Sequence, residues 1–137
     1  MFERCIYFNT HALARKLNAL WDEGFARFHL TPSQGYLLRL VLAQPGLTQQ
    51  SLSRELQLNK STVTRFVNQL EKKSLLKRVS SEGDQRENLI VPSDTSLKIQ
   101  EELETLGDSL YQTMCEKVGK QNLKSFVKTA RKLSEQL

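Results

Sequence analysis

Between Leu58 and Leu76 the sequence LNKSTVTRFVNQLEKKSLL sets Val63, Phe66, Val67 and Leu70 at i, i+3, i+4 and i+7. That spacing is the apolar stripe of an amphipathic helix. The opposite face carries Lys60, Ser61, Thr62, Thr64, Arg65 and Asn68, with no acid between Lys60 and Gln69. Thr48–Gln57 reads as a shorter helix with Leu52 and Leu56 turned inward and Thr48 as its N-cap. Leu58-Asn59 is a tight connection in which Asn59 can cap the second helix. Two short helices joined by a brief turn predict a helix-turn-helix. Leu75–Val79, the polar run SSEGDQR and Glu87–Val91 then predict strand, turn and strand, a β-hairpin or wing.

On either side the pattern is helical. Glu3–Phe28 keeps Leu13, Leu17, Leu20, Gly24 and Phe28 on one face, with Ile6, Trp21 and Phe25 beside it. This apolar surface is wider than one neighbour covers, so part of it should meet another subunit. Thr31-Pro32 is a helix start, with proline at the first helical position. Pro32–Ala43 contains GYLLRLVLA, apolar nearly all round, which predicts a buried central strut ended by Pro45-Gly46. Ser93 or Asp94 can cap the next helix, in which Ile99, Leu103, Leu106, Leu110, Met114 and Val118 recur at three and four residues. After Gly119, Leu123, Phe126, Val127, Ala130, Leu133 and Leu137 do the same. Terminal helices of this length cannot bury their stripes on a winged-helix unit alone, which predicts a homodimer.

A chain of 137 residues suffices for one domain with a core, not two ordinary ones. Its net charge is +5, and Thr48–Val91 holds eight Lys/Arg against five Asp/Glu, so much of the excess sits around the helix-turn-helix. That placement suits a polyanionic partner better than the total charge does. Cys5 and Cys115 stand far apart with no CxxC or Cys/His cluster, which argues against a structural metal or a disulfide framework. The start MFERCIYFNT has no long apolar stretch after a basic one, and no run approaches the ~20 apolar residues that span a bilayer. The expectation is a soluble, reduced, cytoplasmic protein without membrane contact or cofactor. A Gly-rich phosphate loop, a nucleophile–base set and a metal cluster are all missing, which sets an enzyme aside.

The run LTQQSLSRELQLNKSTVTRFVNQLEKKSLLKRVSSEGDQRENLIV resembles the winged helix-turn-helix of the MarR family (multiple antibiotic resistance regulators). The resemblance is carried by Leu52 and Leu56, by Ser61–Arg65, by Leu70-Glu71-Lys72-Lys73 and Leu75, and by Asp84 and Arg86 as the Asp-x-Arg of the wing. Leu30-Thr31-Pro32-Ser33-Gln34 is similar to the family's opening of its second helix. Counting helix pattern with motif, the likeness runs from about Leu13 to the end. It implies a mainly α fold, a winged helix-turn-helix with a two-stranded β wing and N- and C-terminal dimerisation helices. The whole chain, 1–137, would be one such domain, with a DNA-binding lobe at about 31–92 and dimerisation helices at about 3–28 and 94–137. One departure is Ser74, where the family usually has glycine after the recognition helix.

The resemblance and the polar face together assign Ser61, Thr62, Thr64 and Arg65 to a DNA major groove, with Lys60 and Asn68 at its edges. Serine and threonine bond bases or phosphates, and arginine can bind guanine through two bonds. The competing reading is a solvated helix face. Lys77 and Arg78 are assigned as phosphate contacts and Arg86 as a minor-groove contact at the wing tip, where a narrow groove concentrates negative potential. In the family the aspartate of Asp-x-Arg steadies an arginine, and the resemblance implies that role for Asp84; otherwise the wing is only a charged hairpin.

Three further sites stand beside plainer readings. Cys5 lies where some family members sense peroxides, but the tyrosines that would hold such a thiol are replaced by Asn9 and Pro32, so an incidental cysteine is the rival. Cys115 reads as helix packing, and His11 and His29 as surface or helix-end residues. Trp21, Phe25, Tyr36 and Arg39 could line an effector pocket for a small aromatic ligand, or be core. The expected function is a dimeric, sequence-specific transcriptional regulator, a repressor of a palindromic operator on double-stranded DNA, released by a small molecule or an oxidant. The rival is a winged-helix module that binds protein through the same face.

Overall fold

Side chains start most of the helices. The computed structural model describes residues 1–83 and 87–137. Helix α1 (Ile6–Ala26) begins after Cys5, whose Sγ accepts the Phe8 amide at 3.4 Å. Helix α2 (Pro32–Ala43) begins after Thr31 with a complete capping box: Thr31 Oγ1 accepts from the Gln34 amide and Gln34 Oε1 accepts from the Thr31 amide. Strand β1 (Leu47–Thr48) leads into α3 (Gln49–Leu56), capped by Thr48, and α4 (Lys60–Lys72) is capped by Asn59. Strands β2 (Leu76–Ser80) and β3 (Asn88–Pro92) follow, then α5 (Asp94–Val118) and α6 (Lys120–Gln136). Of the two caps open for α5, Ser93 serves: its Oγ accepts the Ser96 amide at 3.2 Å.

The wing differs from the expected pair of strands. β3 pairs antiparallel with β2 on one side and with β1 on the other, in the order β1-β3-β2. The two residues of β1 carry no legible strand pattern; they reach the sheet because the turn after α2 brings them alongside Leu89 and Ile90, with the Gly46 amide bonded to the Ile90 carbonyl. Helix α1 is also shorter than Glu3–Phe28. Its start is set by the Cys5 cap, and its end by His29, which takes a left-handed φ of 55°.

The chain divides into two compact units, Met1–Glu104 and Thr105–Leu137. This places α1 with the winged-helix elements rather than apart from them. The reason is local: Phe25 is fully buried and lies where a Cβ on Gly35 would come within 2.2 Å of its ring, so α1 and α2 pack at backbone range. The core of the first unit joins Leu37, Leu38 and Val41 of α2, Leu52 of α3, Val63, Val67 and Leu70 of α4, and Ile90 of β3. Gln34 is the buried polar exception, and its Nε2 donates to Gln69 Oε1 at 2.7 Å, tying α2 to α4. In the second unit no residue of α6 is buried, and Phe126, Val127 and Leu133 are exposed. The Tyr111 hydroxyl there is pushed above its ordinary pKa by its hydrogen bond with Cys115.

Three helices end in the same way without glycine. His29, Gln57 and Ser74 all have φ between 55° and 59°, and in each case the next amide reaches back five residues: Leu30 to Phe25, Leu58 to Ser53, Leu75 to Leu70. This is the Schellman arrangement, completed at two of them by buried apolar partners, Leu30 with Phe25 and Leu75 with Leu70. Ser74 therefore keeps the left-handed turn that glycine would adopt freely, at a cost of about 1–2 kcal/mol. Its carbonyl accepts from Ser93 Oγ at 2.6 Å, which joins the end of α4 to the start of α5.

Two stability measurements check these points by chemical denaturation. Gly35→Ala should destabilise the protein by about 1–3 kcal/mol, the usual penalty for overpacking a core. Ser74→Gly should raise stability by roughly 1 kcal/mol or less, since relief of the left-handed strain is partly offset by a freer unfolded chain.

Candidate nucleic-acid interface

Helix α4 is held from behind and open in front. Val63, Val67 and Leu70 are completely buried, and Phe66 is half-buried beside them. The 100° step of a helix then leaves Lys60, Ser61, Thr64, Arg65 and Asn68 exposed and Thr62 half-exposed. The six residues picked from sequence thus share one accessible face. Apart from Lys60 and Arg65 no charge stands on it, so the face is cationic and rich in small hydrogen-bonding groups.

Several of these groups are already engaged. The Ser61 hydroxyl donates to Asn59 Oδ1 at 2.8 Å, the same oxygen that caps the helix. Thr64 Oγ1 donates to the Lys60 carbonyl at 2.9 Å and accepts from Gln49 Nε2, on α3, at 2.9 Å. The Arg65 guanidinium lies 5.2 Å from the centre of the Phe66 ring, which gives its stem a shelf. Asn68 Oδ1 accepts from Arg78 Nη2 at 2.6 Å.

Lys77 and Arg78 part company. Successive strand residues face opposite sides of a sheet. Arg78 shares a side with buried Leu76 and turns to α4, where it ion-pairs with Glu71 as well as bonding Asn68. Lys77 takes the other side and is exposed. Arg78 is therefore a brace between wing and helix, not the open cation that tandem Lys-Arg suggests. Asp84 and Arg86 lie outside the described residues. Sequence reasoning missed Gln49, Glu71 and Gln69 as supports of the face, and only the alternation along β2, which sets Arg78 on the side of Leu76, could have pointed to one of them.

The four residues named for an effector pocket are only partly brought together. Phe25 is fully buried against Gly35, and Trp21 Nε1 donates to the Tyr36 hydroxyl at 3.0 Å. Tyr36 and Arg39 line a pocket of about 370 Å³ with Leu40, Ala43, Glu55, Leu56 and Glu104. Arg39 pairs with Glu104 at 3.2 Å and sits 5.5 Å from the Tyr36 ring. Trp21 and Phe25 do not line it; each instead contacts Tyr36, the Phe25 ring centre lying 5.9 Å from that of Tyr36. Cys5 is exposed as the cap of α1, and Asn9 Nδ2 donates to the carbonyls of Phe2 and Cys5, a structural task. His11 Nδ1 meets the Tyr7 carbonyl at 2.8 Å, and His29 ends α1, both as local helix partners. Among the described residues no group of three or more His, Cys, Asp or Glu is placed to hold a metal ion, and no helix is long and apolar enough to cross a membrane.

Comparison with known proteins places this arrangement. The family model described as "MarR family" matches residues 30–88, the stretch that contains α2 through β2. The chain is 29% identical over 104 residues to the HTH-type transcriptional regulator MgrA of Staphylococcus aureus, covering 75% of this chain and 71% of that one. Its fold is that of the S. aureus MepR–DNA complex, with a TM-score of 0.84, 23% identity and coverage of 98% and 100% of the two chains. It is also that of the PcaV transcriptional regulator from Streptomyces coelicolor in complex with its natural ligand, with a TM-score of 0.86, 20% identity and coverage of 98% and 95%.

Proposed function

We propose that this chain, whose residues 30–88 match the MarR family model, is a DNA-binding transcriptional regulator of that family and acts as a homodimeric repressor on a palindromic operator. The observation that carries the reading is the face of α4: an apolar back that is completely buried and a front of Lys60, Ser61, Thr62, Thr64, Arg65 and Asn68 that is open. In this reading the helix enters the major groove, Arg65 reads a guanine edge, and the serine and threonine groups reach bases and phosphates. Lys77 contacts a phosphate, Arg86 contacts the minor groove, and Asp84 steadies an arginine rather than touching DNA.

Dimerisation is supported by apolar surface that neither unit covers. Ile6, Tyr7 and Phe8 of α1 are exposed, as are Phe126, Val127 and Leu133 of α6. Two α4 helices related by a twofold axis would meet successive major grooves, with half-sites ~10 bp apart. A releasing signal fits the same scheme. A small aromatic ligand would enter beside Tyr36 and Arg39, and it releases DNA only if it binds the DNA-incompetent arrangement more tightly. Oxidation of the exposed Cys5 is the other route.

Fluorescence anisotropy against fragments upstream of the protein's own gene, at two salt concentrations, tests the proposal. One fragment should bind with nanomolar affinity that falls steeply with salt; weak, fragment-independent binding would favour the protein-binding module instead. Arg65→Ala should weaken binding to that fragment by ~1–3 kcal/mol, and unchanged affinity at physiological salt would remove Arg65 from the site. Sedimentation at micromolar concentration should give a dimer, and a stable monomer would count against the twofold scheme.

A further inference from the structure

Two side chains outside α4 hold two of the side chains on its open face. Arg78 on β2 donates to Asn68 Oδ1 through Nη2, at 2.6 Å, and to Glu71 through Nη1. Gln49, the first residue of α3, donates to Thr64 Oγ1 at 2.9 Å. A guanidinium has donors only, so the Asn68 amide must turn its oxygen to Arg78. The Nδ2 hydrogens of Asn68 have no partner among the described residues and the side chain is exposed. Thr64 has one hydroxyl hydrogen, and that hydrogen goes to the Lys60 carbonyl. With Gln49 on one lone pair, Thr64 offers its remaining lone pair.

We propose that Arg78 and Gln49 are positioning residues that fix the hydrogen-bonding polarity of the reading face before DNA arrives. Arg78 makes Asn68 a donor, and Gln49 makes Thr64 an acceptor. The proposal rests on the reading of α4 as the groove-entering helix. It assigns Arg78 a different task from a phosphate contact, because an arginine already neutralised by Glu71 displaces no counterion from DNA. It also narrows the code. Recognition of adenine by asparagine uses its oxygen and its amide together. Arg78 takes one lone pair of Asn68 Oδ1 and turns that oxygen towards itself, so Asn68 presents its amide hydrogens to an acceptor edge such as guanine O6/N7 or thymine O4.

The test is selection of binding sites from a pool of random duplexes by the wild-type protein, Arg78→Lys and Gln49→Ala, each first checked for an intact thermal transition. Titrations of the selected wild-type site at several salt concentrations follow. Arg78→Lys keeps the charge but cannot bridge Glu71 and Asn68 in one plane. It should lose base preference at one pair per half-site, bind the wild-type site about tenfold more weakly, and keep the same dependence on salt. Gln49→Ala should relax preference at a different pair, and because Gln49 is only half-buried and lies outside the core this variant stands even if Arg78→Lys melts. Unchanged preference in both variants overturns the inference while leaving the groove reading intact. Failure of the wild type to select any site overturns the groove reading, and this inference with it.

Discussion

A helix can present a chosen face to a partner only if its opposite face is immobile, and here that constraint rests on Val63, Val67 and Leu70. All three are fully buried. Burying side chains of this size is worth roughly 1.5–3 kcal/mol each, whereas a helix cap contributes about 1 kcal/mol and a partly exposed ion pair less than about 1 kcal/mol. Burial therefore sets the rotation of α4 about its axis, and the polar bonds refine it. A polar tie from behind, Gln34 to Gln69, joins α4 to α2, whose own start is fixed by the same Gln34 through its capping box. A single buried glutamine thus links the cap of α2 to α4.

The corner at Ser74 carries the geometry from helix to wing. The left-handed serine turns the chain so that β2 runs back past the end of α4, and Leu75 closes on Leu70 beneath it. Strand alternation then delivers Arg78 to Glu71 and Asn68 while Lys77 stays outside. Ser93 ties the same corner to α5 through the Ser74 carbonyl. The strain of a non-glycine left-handed residue is of order 1–2 kcal/mol, modest beside the burial that surrounds it, which explains how the turn survives without glycine here and at His29 and Gln57.

Much of this was legible from residue order alone, for identifiable reasons. The i, i+3, i+4, i+7 stripe of α4, the caps Thr31, Thr48 and Asn59, and the strand–turn–strand pattern are local signals, and local signals survive folding when the core agrees with them. The start of α1 was read too early because cysteine is a weak cap signal. The two-residue strand β1 was missed because its pairing with Leu89 and Ile90 spans some forty residues and leaves no periodicity behind. The candidate pocket was read too broadly: Phe25 is apolar enough to line a cavity, but only its approach to Gly35 shows that it has no free surface.

The sequence by itself determined the elements, the apolar back of α4 and the identity of the six residues on its front, because helical periodicity and capping depend on neighbours a few positions away. Only the tertiary structure decided which of those six are already bonded, and to what. Gln49 reaches Thr64 across fifteen residues and Arg78 reaches Asn68 across ten, pairings created by the packing of α3 and β2 on α4. Whether an exposed side chain donates, accepts or is held still depends on groups brought to it by the fold, and spacing along the chain does not encode them.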